Sequence, residues 1–265
     1  MLAAQEPADL ATAKALDQET LKLKDLSGDA LSRAIRDLST RIRQQPVFYA
    51  ADLAFNLVVS PGVDEAAGRD TLQEVTTTLA EALRKSPPKY KNDDEYRQLA
   101  ELARYHHMKV SLDDPRYVAA MSKLEADDQH RSESDFTLTD VQGRQWRLKG
   151  LIGKVVLVDF WATWCPPCRA EMPDLEALNK RLQSQGLIIL AISDEEASVV
   201  KTFLSEQKLS LPMLLDPGGK VRELFRVRGI PRSLVYDRGG RLVADMPDFT
   251  TMQGFVEMLG QAGMR

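Results

Sequence analysis

Cys165 and Cys168 are the only two cysteines in 265 residues, and they stand three positions apart in Trp164-Cys165-Pro166-Pro167-Cys168. Two thiols at that spacing can close a small disulfide ring and reopen it, which is redox chemistry. On the first turn of a helix, positions i and i+3 share a face, so both sulfurs are within bonding reach. Cys165 would then sit at the helix N-terminus, where the helix dipole and free backbone N–H groups stabilise a thiolate. Cys168 lies one turn further in and is more shielded. The pattern therefore assigns attack on a disulfide to Cys165 and resolution of the mixed disulfide to Cys168. Pro166 and Pro167 suit a first helical turn and carry no N–H, so they remove two donors near the thiolate. The Cys165 pKa is expected below the free value of about 8.5 but not at the acidic extreme of about 3.5.

Two other chemistries have residue requirements that this sequence does not meet. A structural zinc site needs four ligands. There is no third cysteine, His106 and His107 are adjacent and would point to different helix faces, and His130 stands alone. No metal is expected. A peroxidase of peroxiredoxin type would need Pro-x-x-x-Thr-x-x-Cys, but Val158 stands where the proline should be and Thr163 is one residue too close to Cys165.

The elements around the pair alternate strand and helix. Val155 to Phe160 reads as a buried strand, Pro167 to Gln185 as a helix with Leu175, Leu178 and Leu182 on one face, and Gly186 as its C-cap. Leu187 to Ile192 is a second buried strand. Glu196 to Gln207 is a helix with Val199, Val200, Phe203 and Leu204 as its apolar stripe. Leu211 to Leu215 (strand) and Lys220 to Phe225 (helix) are short. Ser233 to Tyr236 and Arg241 to Ala244 form a hairpin, and a last helix covers Thr251 to Gln261.

The runs Phe160-Trp161-Ala162-Thr163-Trp164-Cys165 and Cys168-Arg169-Ala170-Glu171-Met172-Pro173, with Ser134 to Asp140 and Gly153 to Val158 before them, resemble the TlpA-like branch of the thioredoxin superfamily. The resemblance covers about half the chain, from Ser134 to the C-terminus. It implies an α/β thioredoxin-like fold, a central mixed sheet flanked by helices, with the branch's insertion at Glu196 to Leu215. It implies a thiol–disulfide oxidoreductase acting through a redox-active disulfide with no other cofactor. It makes Ile230-Pro231 a cis-proline facing the disulfide, with the Ile230 backbone pairing to an extended substrate. Trp161 and Trp164 become packing and substrate-shelf residues beside Pro166. Asp159 is the candidate base for Cys168, since a desolvated carboxyl has a raised pKa and can shuttle a proton; a merely structural, hydrogen-bonded carboxylate is the alternative. Thioredoxins pair this Asp with a lysine on the next central strand, and Leu187 to Ile192 has none. Arg232 stands where Thr is common. It is read either as a guanidinium beside the disulfide, favouring acidic substrates or a lower Cys165 pKa, or as a solvated surface arginine. Glu171 is read either as a tuner of the active-site pKa values or as an ordinary first-turn glutamate.

Residues 1–131 read as an all-helical domain preceding a redox domain at 132–265. Leu31, Ile35, Leu38 and Ile42 share a helix face, as do Leu72, Val75, Leu79 and Leu83; Tyr96, Leu99, Leu102 and Ala103; and Tyr117, Met121 and Leu124. Breaks at Gln45-Pro46, Ser60-Pro61-Gly62, Ser86-Pro87-Pro88 and Asp113-Asp114-Pro115 give four to six helices. The polar stretch Glu125 to Ser134 reads as the linker. No chemistry is recognisable in this helical part; dimerisation, partner docking or positioning of the redox domain are its expected roles, and a non-enzymatic adaptor is the third functional reading.

The net charge of −4 and the lack of a basic block argue against nucleic acid. No apolar run reaches the ~18 residues of a membrane span. The opening Met1 to Pro7 shows no charged-then-apolar export signal, as a cytoplasmic protein or one with its signal removed would. The resemblance favours an extracytoplasmic, periplasmic location. Protein thiols and disulfides are the expected substrates and an upstream dithiol the expected donor. Reduction is favoured over oxidation, with a potential between about −180 and −270 mV.

Overall fold

Leu31, Ile35, Leu38 and Ile42 recur every three or four residues, so a helix places them on one stripe that must leave water. In the computed structural model, which describes residues 8–60, 63, 68–86 and 93–264, they do so on α2 (Gly28–Arg43). Leu72, Val75, Leu79 and Leu83 on α4 (Arg69–Lys85) share the same apolar core. Between these two helices runs α3 (Val47–Val58), which starts directly after Pro46. The others are α1 (Ala8–Thr20), α5 (Asp93–Arg104) and α6 (Pro115–Glu133). Six helices thus precede the first strand among the described residues. The expected breaks at Pro61-Gly62 and Pro87-Pro88, and the opening Met1 to Pro7, lie outside the described residues.

The chain divides into two compact units, Met1–Leu124 and Glu125–Arg265. The segment expected as a polar linker is instead helical to Glu133. Its polar side chains have partners inside the second unit: Asp127 pairs with Arg226 at 2.6 Å and Arg131 with Asp245 at 3.0 Å. Residues 125–131 therefore belong with the redox unit.

The second unit holds a seven-stranded mixed sheet of order β2-β1-β5-β4-β3-β6-β7. The strands are β1 (Thr137–Asp140), β2 (Gln145–Arg147), β3 (Val155–Phe160), β4 (Leu187–Ser193), β5 (Met213–Leu215), β6 (Arg232–Tyr236) and β7 (Leu242–Met246). All six residues of β3 are buried, as a strand covered on both faces requires. It runs parallel to β4 and antiparallel to β6. Alternate residues of β3 serve different layers. Val155 and Leu157 join one core with residues of α7 (Pro166–Leu182), α8 (Ala197–Gln207) and α10 (Met252–Gln261). Val156, Val158 and Phe160 join the other with Phe136, Trp146 and Phe225, the last directly after α9 (Lys220–Leu224). On α8 the expected stripe narrows to Val200, Phe203 and Leu204, and Val199 stays exposed. Gly186 has a φ of 94° after α7, a left-handed turn that glycine adopts without cost.

Candidate active site

Strand β3 delivers the chain to the site. Beyond Phe160, the Trp161 N–H still bonds to Ile192 O at 3.0 Å, and Trp161 is buried against the Phe203 ring. The chain then turns away from the sheet. Thr163 is fixed there by Glu195, whose carboxylate accepts from the Thr163 N–H at 2.6 Å and from its hydroxyl at 2.7 Å. Cys165 follows as the N-cap of α7, with Pro166 and Pro167 in the first turn. Since neither proline can donate, the Cys168 N–H is the first helical donor available, and it points at Cys165 Sγ, 3.2 Å away. Cys165 and Cys168 are joined as a disulfide, their Cα atoms 5.3 Å apart. Both sulfur-bearing side chains are buried, Cys168 completely. The exposed surface beside them comes from Trp164, 65% exposed, and from Pro166 and Pro167.

Ile230–Pro231 is a cis peptide. Arg232 pairs with Phe160 across β6 and β3, so Pro231 lies one residue beyond the paired end, at the same sheet edge as the Trp161–Cys165 turn. Pro231 is buried and Ile230 partly buried.

Asp159 has the strand parity of Leu157, whose core layer also holds Cys165 and Cys168. It is fully buried; its Oδ1 accepts from the Ser233 hydroxyl at 3.1 Å, and its Oδ2 has no hydrogen-bond partner among the described residues. Desolvation pushes its pKa up to about 7, against the smaller opposing pull of Ser233. The residue facing it on β4 is Ala191, so the lysine missing from the sequence has no substitute there. Glu171, one turn after Cys168, lies beyond the first turn of α7, where an ordinary first-turn glutamate was the expectation. It is 1% exposed and accepts the backbone N–H of Thr250, in the loop before α10.

Arg232 departs from both readings made of it. It is buried, and it shares the strand parity of Leu234 and Tyr236, which face the core layer opposite the cysteines. The alternation of a strand sends it away from the disulfide. It pairs with Asp245 on β7 at 2.7 Å.

Three residues at or near the site carry little distinct local signal in the sequence. Glu195 belongs to the acidic run Asp194-Glu195-Glu196, which reads as a helix start; its signal was its place just past the carboxyl end of a buried strand. Arg131 sits in the presumed linker, and Asp245 on an edge strand gives no local cue. Among the described residues no group of three or more His, Cys, Asp or Glu is arranged to hold a metal ion.

Residues 131–244 match the AhpC/TSA family model. A thiol-disulfide oxidoreductase ResA of Bacillus cereus is 31% identical over 144 residues, 54% of this chain and 83% of that protein. The chain belongs to the TlpA-like thiol–disulfide oxidoreductases of the thioredoxin superfamily. A ResA protein of Bacillus anthracis is 36% identical to this family member over 110 residues, 41% of this chain and 64% of the relative. The crystal structure of the exposed lipoprotein thioredoxin of Streptococcus pneumoniae is 30% identical, with a TM-score of 0.45, over 48% of this chain and 99% of that one. The chain is thus an oxidoreductase acting on protein thiols and disulfides. No helix among the described residues is long and apolar enough to cross a membrane.

Proposed function

We propose that the redox unit reduces protein disulfides, with Cys165 as nucleophile, Cys168 as resolving thiol and Asp159 as the proton carrier. The observation that carries this reading is the Cys165–Cys168 pair capping α7, on the sheet face to which a fully buried carboxyl points. With the pair reduced, the Cys165 thiolate attacks one sulfur of a substrate disulfide. A Cys165–substrate bond forms and one substrate thiolate leaves. Asp159 takes the proton of Cys168, whose thiolate attacks Cys165 Sγ. The mixed disulfide breaks, the second substrate thiolate leaves, and the intramolecular disulfide closes. An upstream dithiol returns it to the reduced state, so no cofactor beyond the disulfide is needed. An extended substrate segment pairs with the Ile230 backbone, and Trp164 and Pro166 provide an apolar shelf. Membership of the TlpA-like family favours an extracytoplasmic, periplasmic location, and the helical unit serves dimerisation or partner docking.

Replacing the resolving thiol tests the scheme. Cys168→Ser should accumulate a mixed disulfide between Cys165 and substrate, visible by mass spectrometry, and lower turnover of insulin disulfides by about a thousandfold or more. Turnover near wild type would refute it. Equilibration in glutathione buffers tests direction: a potential near −270 mV fits a reductase, and one near −120 mV an oxidant.

A further inference from the structure

The peptide that carries Ile230-Pro231 is held from both sides by the end of α6. On its upstream side, the Arg131 Nε–H donates to Phe225 O at 2.8 Å, and Arg131 Nη2 reaches Arg226 O at 3.5 Å. His130 Nε2 contacts Leu224 O at 2.9 Å, and the Arg226 guanidinium returns to Asp127 at 2.6 Å. On its downstream side, Arg131 Nη1 and Arg232 Nη2 both donate to Asp245 Oδ2, at 3.0 and 2.7 Å. Arg131 Nη1 also reaches Asp128 Oδ1 at 3.1 Å, so two guanidinium and two carboxylate charges balance. Arg131 is 2% exposed, and the Tyr236 hydroxyl donates to its carbonyl. One buried side chain therefore ties together residues 225–226 and, through Asp245, residue 232, the two ends of a loop that carries Ile230-Pro231 just before β6. The cysteines lie on the other face of the sheet, so this network meets their side of the molecule through the backbone of that loop and of β6.

We propose that Arg131 is a positioning residue for substrate binding, holding the 225–232 loop so that the Ile230 backbone is presented to an extended protein segment. The polar stretch before the first strand then works as a specificity element of the redox unit and not as a connector. This rests on the reading of Ile230-Pro231 as the substrate-pairing edge. The consequence is selective: a large disulfide substrate that pairs with the loop depends on Arg131, and a small one that only reaches the sulfur does not.

The test is steady-state kinetics of the full chain with insulin and with glutathione disulfide. Arg131→Met should raise the KM for insulin about tenfold with kcat within about twofold, and leave glutathione disulfide kinetics near wild type. Arg131→Lys keeps a charge for Asp245 but loses the fork to Phe225 O and Arg226 O. It should raise the insulin KM about threefold, and it carries the test if removing the buried charge prevents folding. Asp245→Asn combined with Arg131→Met should be no worse than the poorer single variant, since both act along one route. An unchanged insulin KM, or a loss shared equally by insulin and glutathione disulfide, overturns the role of Arg131. A wild-type protein that reduces glutathione disulfide but not insulin would instead remove the underlying reading of the loop.

Discussion

In the helical unit, Arg41 meets Glu19 and Arg43 meets Glu74 on side chains that keep a quarter or more of their surface in water. In the redox unit, Arg131 and Arg232 meet Asp245 on side chains at most 7% exposed. Asp159 and Glu171 are buried there too. The helical unit does bury Glu95, on α5, but holds neither cysteine. An exposed pair contributes little, whereas burying an ion costs several kcal/mol unless it is paired and hydrogen-bonded. The helical core is built mostly from apolar stripes, with Glu95 and Glu101 as its buried carboxyls, so it carries less of that cost. The redox unit accepts it where a loop must be held or a proton moved. Buried charge therefore marks the functional half of this molecule better than total charge does.

Leu79→Ala puts the largest strain on that contrast. Leu79 is fully buried in the α2–α4 core, and its truncation should cost about 2–5 kcal/mol of stability by chemical denaturation. The insulin reduction rate per folded molecule should not change. A fall in that rate would show that the helical core serves the chemistry as well as its own fold.

Asp159→Asn comes next. It should slow disulfide resolution by up to about a hundredfold and abolish the inflection near pH 7 in the rate profile. The stability effect has a definite sign. The folded pKa of about 7 lies above the ordinary value of 3.8, so the folded state holds a proton that the unfolded chain has lost. Wild-type stability should fall as pH rises from 4 to 7 and then level off. The variant should lack that fall and be the more stable protein at pH 8. Equal pH dependence in both would show that Asp159 is ionised or solvated.

The smallest effect belongs to Glu19→Ala. The Arg41 guanidinium holds the Glu19 carboxyl below its usual range by a hydrogen bond, yet both groups are well exposed. The loss should be under about 1 kcal/mol and shrink further in high salt. A larger loss would put buried-type electrostatics in the helical unit and blur the contrast.

Much of this was legible in the residues. Periodicity located β3, α7, β4 and β6 within a few positions, and the stripes of α2 and α4 became their buried faces. Spacing identified Cys165 and Cys168 as a disulfide-forming pair. Asp159 was legible because a carboxylate inside an apolar run has to be desolvated.

Arg232, Glu171, Glu195 and Arg131 show where such reading stops. Whether Arg232 faces the disulfide depends on which face of β6 packs under α7, a choice that pairing with β3 makes and β6 itself does not. Glu171 reads as an ordinary glutamate near a helix start until Thr250, 79 residues away, closes over it. Arg131 looks like linker until Asp245, 114 residues on, supplies its partner. Local pattern sets what a backbone segment becomes, because periodicity and capping act within a few residues. The partner of a buried charge is set by which distant strands meet, and here only the tertiary structure decided that.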